Sequence, residues 1–171
     1  MTPSITRTPG SMTILRPNAS ASGAGRRILM AFLLDTNVVS ASRRAERQAV
    51  EFQEFLHAFD VETAYLSTIT IMEIEFGIQR ERLRNPDFAD DLSLWLTAVV
   101  LPEFSARLLP FDTRAALIAG RLPTPGRKPT ADGMIAATAL ANNLVLVTRN
   151  LSDFQPLGVP CLNPWEKAPG G

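Results

Sequence analysis

The chain has 171 residues, of which 46% are hydrophobic, and is long enough to bury the core of one domain. Its 17 basic and 17 acidic residues give a formal net charge of zero, which excludes the strong basic surplus that drives non-specific binding to nucleic acids. It has no apolar run of about 18 residues, so no membrane span is expected. The only cysteine, Cys161, excludes an intrachain disulfide, and a reducing compartment, the cytoplasm, is the expected location.

The first 27 residues are rich in Ser, Thr, Gly, Pro and Ala and show no sustained hydrophobic period. Such a segment buries too little apolar surface to offset its ordering entropy, so residues 1–27 are predicted to form a disordered extension. An alternative interpretation is that translation begins at Met30 or Met12. Residues 28–166 are predicted to form one folded domain, and residues 167–171 a flexible C-terminal tail.

The predicted domain opens with a strand that ends at an acid. Seven consecutive apolar residues, Ile28 to Leu34, precede Asp35. A continuous apolar run is typical of a strand buried on both faces of a parallel sheet. Because ligands bind outside the carboxyl ends of such strands, Asp35 lies where a functional site is expected.

The rest of the chain alternates helical patterns with short apolar strands. In chain order the pattern predicts a helix over 43–60, a strand over 64–67, a helix from Thr68, a helix over 88–101, a strand over 106–111, a helix from a cap at Asp112 to Arg121, a helix over 131–142, a strand over 144–148, a polar turn over 149–153 and an edge strand over 159–163. The helix from Thr68 is expected to bury Ile69, Met72, Phe76 and Leu83. This alternation predicts an α/β fold with a mainly parallel sheet of four to five strands.

Four acids are candidates for one shared site: Asp35, Glu73, Asp132 and Asp153. Taken singly, each has an ordinary structural explanation as a helix cap, a helix-dipole partner, a turn residue or a solvated side chain. Three of them lie at strand ends or helix N-termini, which share one edge of a parallel sheet. The fourth, Glu73, is flanked by apolar residues and is expected to point inward.

Clustered carboxylates raise one another's pKa unless a cation compensates them. A hard divalent ion, Mg²⁺ or alternatively Mn²⁺, suits oxygen ligands of this kind. His57 is the only histidine and is predicted to lie on a solvated helix face, which disfavours a zinc site. Asp112 opens a helix and is predicted to be a cap outside the site. Glu75 lies about 200° around the helix from Glu73, so only one of these two glutamates can face a shared site.

Four segments resemble the motifs of the PIN-domain family, and most of all the VapC toxins of bacterial toxin–antitoxin pairs, including the FitB-like branch. The segments are LLDTNVVS at Leu33–Ser40, TIMEIEFGI at Thr70–Ile78, ADGMIAATA at Ala131–Ala139 and TRNLSDF at Thr148–Phe154. The chain also ends with Leu162-Asn163-Pro164-Trp165, similar to the end of FitB-like chains. The resemblance covers about Leu29 to Trp165, and four motifs in the right order make it specific.

The resemblance implies a PIN-like three-layer α/β/α fold whose catalytic metal site consists of Asp35, Glu73, Asp132 and Asp153. It further implies supporting polar residues, here Asn37, Thr148 and Asn150. Arg149, inside the fourth motif, is the favoured residue for binding the RNA backbone. Weaker candidates for that role are Arg80, Arg82, Arg84, Arg127 and Lys128.

The activity implied by the resemblance is that of a toxin, an Mg²⁺-dependent endoribonuclease that cleaves tRNA or other structured RNA and so inhibits translation. The implied partners are a second copy of the chain and a cognate VapB-like antitoxin, which together form a hetero-oligomer. Apolar residues in excess of the expected core, among them Phe52, Phe76, Ile78 and Trp95, agree with a partner surface. The alternative is a weakly active or inactive protein that acts mainly as the regulatory partner of a DNA-binding antitoxin. A phosphatase with Asp35 as nucleophile is disfavoured, because Asn37 stands where a second aspartate is expected.

Overall fold

The computed structural model describes residues 30–124, 126 and 128–166. The N-terminal extension, the C-terminal tail and Arg127 lie outside these residues. The strands are β1 (Phe32–Leu34), β2 (Ala64–Ser67), β3 (Leu108–Leu109), β4 (Val145–Val147) and β5 (Cys161–Leu162). The helices are α1 (Thr36–Ser42), α2 (Val50–Ala58), α3 (Thr68–Arg82), α4 (Pro86–Trp95), α5 (Leu101–Glu103), α6 (Thr113–Ala119), α7 (Ala131–Ala141) and α8 (Leu151–Phe154).

The five strands form one sheet in the order β3-β2-β1-β4-β5, and every neighbouring pair is parallel. This confirms the predicted α/β fold and parallel sheet. The central strand β1 lies between β2 and β4, so the three segments that follow these strands meet at one edge. The last strand, β5, is an edge strand as predicted, and Pro160 immediately precedes it.

Helices cover both faces of the sheet and create two hydrophobic clusters. Leu34 belongs to the cluster that includes Phe52 and Trp95, whereas Leu33 belongs to the cluster that includes Ile135 and Phe154. Adjacent residues of β1 therefore pack into opposite layers, which explains why the residues directly before Asp35 are all apolar. The strand is shorter than the apolar run predicted, since Met30 is 61% exposed and Ile28 and Leu29 lie outside the described residues. Among the helices that the structure describes, none has the length and apolar character needed to cross a membrane.

Two predicted segments differ from the structure. The helix predicted over 43–60 is divided into a 3₁₀ turn at Ala45–Arg47 and α2, because Ala49 has an extended backbone with ψ 151°. The turn predicted over 149–153 is largely helical instead: α8 begins at Leu151, and a 3₁₀ turn follows it at Gln155–Leu157. Burial of Phe154 and Leu157, three residues apart in the same cluster, favours this helical winding.

The apolar face predicted for α3 was largely wrong. Of that face only Ile69 is buried, whereas Met72, Phe76 and Leu83 are 52%, 64% and 88% exposed. The helix instead buries Thr70, Ile74 and Ile78, a row at four-residue intervals. Apolar residues occupy several sides of α3, and its packing against α4 and α1, rather than its periodicity, decides which row is covered. Three apolar side chains are left exposed along one side.

Candidate active site

Asp35 connects the central strand to the first helix and is held from several directions. Its Oδ1 caps α1 by accepting a hydrogen bond from the Thr36 backbone N–H at 2.8 Å. Its Oδ2 accepts from Asn37 Nδ2 at 2.6 Å and from Thr148 Oγ1 at 2.7 Å. The residue is only 4% exposed. The carboxylate is therefore fixed at the carboxyl end of β1, and the donor from Thr148 comes from the end of the adjacent strand β4.

The side chains of the other three candidate acids are more exposed to solvent than that of Asp35. Glu73, in the second turn of α3, is half-buried and accepts a hydrogen bond from Thr36 Oγ1. Asp132 is half-buried in the first turn of α7, which Thr130 caps through the Gly133 N–H at 3.0 Å. Asp153 is exposed in α8. The arrangement has a buried floor at Asp35 and an open rim at Asp153.

The electrostatics show that these acids share one local field. Burial raises the pKa of Asp35 to about 6, repulsion from Asp132 and Glu73 adds to this rise, and hydrogen bonds from Thr148 and Thr36 oppose it. The pKa of Asp132 is also raised, by burial first and then by repulsion from Glu73 and Asp153. Each of the four acids thus contributes to or responds to the same cluster of negative charge.

The predicted supporting residues form a hydrogen-bond network behind Asp35. Thr148 is fully buried and, besides donating to Asp35, accepts from the Asn150 backbone N–H at 3.0 Å. The Asn37 amide donates to Asp35, and its oxygen accepts from the Arg149 backbone N–H at 3.2 Å. Among the residues that the structure describes, Asn150 joins the network through its backbone N–H and not through its side chain. The network joins the segments after β1 and β4 and fixes the orientation of the Asp35 carboxylate.

Thr36 was not among the residues proposed from the sequence, yet it bridges two of the acids. Its backbone N–H donates to Asp35 and its hydroxyl donates to Glu73. The only sequence signal was its position directly after Asp35, where a threonine at a helix start usually has an ordinary structural role. Its contact with Glu73, 37 positions along the chain, is a tertiary feature.

Residues predicted to lie outside the site do so. Glu75 is exposed and accepts a hydrogen bond from Gln79 at 2.6 Å. Asp112 caps α6 through the Ala115 N–H at 2.9 Å. His57 is exposed on α2.

A divalent cation fits this donor set. All four candidate ligands are carboxylates, the hard oxygen donors that Mg²⁺ and Mn²⁺ prefer. Within the described part of the chain, no three acidic, histidine or cysteine side chains already converge as a ready-made cage. Mg²⁺ does not need one, because it keeps several waters and commonly binds through one or two carboxylates. The repulsion that raises the pKa of Asp35 and Asp132 is the effect that a cation would relieve.

A groove opens beside these acids. It has a volume of about 430 Å³, and Thr36 and Glu73 lie in its wall. The rest of the lining comes from α1, the following turn, α3 and α4, and includes Ser40, Arg43, Arg44, Ile74, Gly77, Ile78, Glu81, Phe88, Leu92 and Trp95. The guanidinium groups of Arg43 and Arg44 lie 5.2 Å and 5.4 Å from the centre of the Phe88 ring. The groove thus joins the acidic site to an apolar floor with two cations above it.

In metal-free protein, the raised pKa of Asp35 predicts a pH-dependent stability. Between its ordinary pKa of 3.8 and its value of about 6 in the folded protein, the native state holds a proton that the unfolded state has released. The contribution of Asp35 is fully present below the lower value and is lost as the pH rises through the higher one. The free energy of unfolding is therefore expected to fall by about 1.4 kcal/mol per pH unit, or about 3 kcal/mol in all.

Chemical denaturation in EDTA from about pH 4 to about pH 7 measures this effect, with Asp35→Asn as the reference that cannot titrate. The stability of the wild type should decline relative to that of the variant as the pH rises. A difference between the two proteins that stays constant with pH contradicts the prediction.

Comparisons with known proteins place this arrangement in context. The PIN-domain family profile matches residues 32–155. The chain is 37% identical to the VapC ribonuclease Y4jK of Sinorhizobium fredii, over 80% of this chain and 99% of that protein. It is 36% identical to the toxin FitB of Neisseria gonorrhoeae, over 78% of this chain and 97% of that protein. The crystal structure of FitAcB from Neisseria gonorrhoeae superposes with a TM-score of 0.67 at 34% identity, over 78% of this chain and 98% of that chain.

Proposed function

The chain belongs to the PIN-domain family, as its four motifs predicted, and we propose that it is the toxin of a type II toxin–antitoxin pair, an Mg²⁺-dependent endoribonuclease. The observation that carries the proposal is the coupling of the four acids. Asp35 is fixed by Thr36, Asn37 and Thr148, and its pKa responds to Glu73 and Asp132. The similarity to a VapC ribonuclease and to toxin FitB supports the same reaction and role.

In the proposed reaction, Asp35, Glu73, Asp132 and Asp153 hold Mg²⁺, with Mn²⁺ as an alternative. When bound, the metal lowers the pKa of a coordinated water and stabilises negative charge on the phosphate in the transition state. The chain supplies the orientation of these ligands. The donors to Asp35 keep its carboxylate in place, and Thr36 holds Glu73 at the wall of the site. One of the carboxylates orients or deprotonates the attacking water.

The proposed substrate is tRNA or another structured RNA, whose cleavage inhibits translation. Without residues 1–30, the chain has 13 basic and 17 acidic residues, a net charge of 13 − 17 = −4, so a phosphate must approach a negative body. A bound divalent cation and the exposed Arg149 offset this charge locally. Arg82 is a weaker candidate for the same role, because it pairs with Asp90 at 2.5 Å. Arg127 lies outside the described residues.

The test is incubation of purified, antitoxin-free protein with a mixture of total tRNA and rRNA in Mg²⁺, Mn²⁺ or EDTA. Discrete fragments that require metal support the proposal and identify the substrate. Cleavage that persists in EDTA contradicts the proposed mechanism. Tight metal binding without cleavage would favour the alternative, a regulatory partner of a DNA-binding antitoxin.

We also propose that a segment of the cognate VapB-like antitoxin occupies the groove beside Glu73. The groove offers an apolar floor and arginines above it, and it leads directly to the acids, so an occupant would block RNA. Gly77 lines the groove, and a Cβ at this position would meet no atom within 4 Å. A larger side chain there would extend into the space proposed for the antitoxin.

Replacing Gly77 with Leu is therefore expected to weaken antitoxin binding at least about 100-fold. The leucine side chain would displace the antitoxin segment from its buried contacts, which costs several kcal/mol of binding free energy. The matched control is Gly77→Ala, which also removes the helix glycine but adds only one methyl group. Titration calorimetry with the antitoxin measures both variants. Equal affinity of Gly77→Leu and wild type would place the antitoxin elsewhere.

A homodimer is proposed through an exposed apolar stripe that consists of Met72 and Phe76 on α3 and Leu83 directly after it. Stripes of this kind are rarely left in water and mark partner surfaces. Phe76→Glu is expected to convert the dimer to a monomer, as measured by size-exclusion chromatography with light scattering. Leu117→Glu, at a similarly exposed leucine on α6, is the control and should stay dimeric. A dimer that survives Phe76→Glu would rule out this interface.

A further inference from the structure

Trp165 lies in the turn after β5, at the same edge of the sheet as the candidate site. Its indole stacks on the ring of Phe52 with the ring centres 4.2 Å apart and the planes inclined by 18°. The guanidinium of Arg149 lies over the same indole, 5.3 Å from the ring centre. Since Phe52 covers one face of the indole, the other face is the one available to Arg149. The three side chains form a layered arrangement that runs from the core to the surface.

The segment that carries Trp165 is fixed to the strands of the site. The Thr148 backbone N–H donates to the Leu162 carbonyl at 2.9 Å, which ties β5 to the residue before Arg149. In the turn that follows, the Trp165 backbone N–H donates to Asn163 Oδ1 at 3.0 Å. Phe52, beneath the indole, is fully buried. Both the backbone and the ring of Trp165 are therefore held in place.

Arg149 is exposed, but it is not free to adopt any orientation. Its backbone N–H donates to Asn37, which also donates to Asp35, so its main chain is part of the network behind the acids. Its side chain rests on Trp165, and none of the ion pairs among the described residues includes it. Stacking leaves the N–H groups of a guanidinium at its edge available to donate to a phosphate.

We propose that Trp165 is a positioning residue for RNA binding: it holds the guanidinium of Arg149 at the rim of the acidic site, ready to bind a phosphate of the RNA. This inference rests on the proposed ribonuclease function. An arginine that is already stacked loses less conformational freedom when RNA binds than one that is mobile in water. Trp165 acts on the RNA through Arg149.

The competing explanation is that Trp165 only fills the space above Phe52. In that case its replacement would lower stability, and its effect on RNA binding would be independent of Arg149. The two explanations differ in their predictions for a double-mutant cycle, because only residues that act through one another give non-additive effects.

The experiment compares wild type, Arg149→Met, Trp165→Leu, Trp165→Phe and the Arg149→Met/Trp165→Leu double variant. Cleavage of the identified RNA in Mg²⁺ gives kcat and KM, and anisotropy of labelled tRNA in EDTA gives binding without cleavage. Arg149→Met and Trp165→Leu are each expected to raise KM about 5- to 10-fold with kcat changed less than about 2-fold, as for a lost phosphate contact. The double variant should be no worse than Arg149→Met alone, and Trp165→Phe, which keeps an aromatic face, should recover most of the loss.

The salt dependence provides a readout that a structural role would not change. Loss of one phosphate contact in Arg149→Met should reduce the magnitude of the slope of log affinity against log salt concentration by about 0.7 to 0.9. The slope should also become shallower in Trp165→Leu. The inference is overturned if the two single effects multiply in the double variant. It is also overturned if Trp165→Leu lowers the midpoint of thermal unfolding but leaves KM and the salt slope unchanged.

Failure of the inference and failure of the proposed function can be told apart. If wild type neither cleaves nor binds RNA, both fail together. If wild type cleaves and Arg149→Met weakens binding while Trp165→Leu does not, only the inference fails. If wild type binds but does not cleave, the anisotropy cycle still decides whether Trp165 acts through Arg149.

Discussion

Asp35→Asn is expected to lose at least about 1,000-fold in RNA cleavage, because a carboxylate that holds the catalytic cation contributes several kcal/mol to the transition state and each 1.36 kcal/mol is tenfold in rate. Asn cannot restore the interaction. Asn is uncharged, and its NH₂ group would replace one of the two carboxylate oxygens. That NH₂ group would then face either the Thr36 N–H or the donors of Asn37 and Thr148, to which it cannot act as an acceptor. The measurement is the initial rate of cleavage of the identified RNA in Mg²⁺.

The chain contains a matched control for this substitution. Asp112-Thr113 repeats the Asp35-Thr36 pair, and Asp112 likewise caps a helix, but it lies outside the acidic cluster. Asn is an equally good helix cap, so Asp112→Asn should cleave RNA within about 2-fold of wild type. Residual activity in Asp35→Asn close to that of Asp112→Asn would mean that Asp35 is only a cap.

Glu73→Gln is expected to lose about 100-fold in cleavage, the second largest effect, because it removes one negative charge from the cation site. The glutamine oxygen can still accept the hydrogen bond from Thr36, so the fold of the wall should be preserved. Circular dichroism and thermal unfolding should therefore match wild type. The kinetic loss then reports the charge and not a rearrangement of α3.

Glu75→Gln is the control from the same helix. Glu75 is two positions along and faces solvent, where it accepts a hydrogen bond from Gln79. Its replacement should leave cleavage within about 2-fold of wild type, since a solvated surface charge contributes little. Equal losses in the two variants would show that the effect comes from the charge of the helix as a whole. A loss in Glu75→Gln alone would reverse the assignment.

The buried strand and its acid could be predicted because the causes are local in sequence. The apolar run before Asp35 is typical of a strand covered on both faces, and its last three residues form the central strand β1 with one layer on each side. The alternation of helices and strands likewise determines the parallel sheet. Asp112 could be recognised as a cap because a cap needs only the few residues that follow it.

The choice of the α3 face could not be predicted, because the helix is apolar on more than one side. Ile69, Met72 and Phe76 form a helical stripe as regular as that of Thr70, Ile74 and Ile78, but only the second stripe is covered along its whole length. The selection is made by tertiary packing against α4 and α1, which the periodicity of α3 alone does not reveal. The apolar surplus predicted from sequence exists, but Phe52, Ile78 and Trp95 belong to the core, and Phe76 alone of those four is exposed.

The side-chain partners of the site residues could not be predicted from the sequence either. The hydrogen bond of Thr36 to Glu73 and the stacking of Arg149 on Trp165 join positions that no local pattern relates. The motifs named the acids, but the structure shows how they are oriented. Placing a buried carboxylate beside other carboxylates has an energetic cost. At Asp35 this cost raises the pKa, because burial and like charges destabilise the ionised form. A bound cation would relieve this repulsion, in agreement with the proposed metal site.

Titration calorimetry of the metal-free protein with Mn²⁺ and Mg²⁺, in wild type and in Asp132→Asn, decides whether the four acids bind a cation together. We expect saturable binding of at least one ion by wild type, accompanied by proton release near pH 6, and loss or at least about tenfold weakening of this binding in Asp132→Asn. Unchanged binding in Asp132→Asn, or no binding in wild type, would contradict a cation site formed by these four acids.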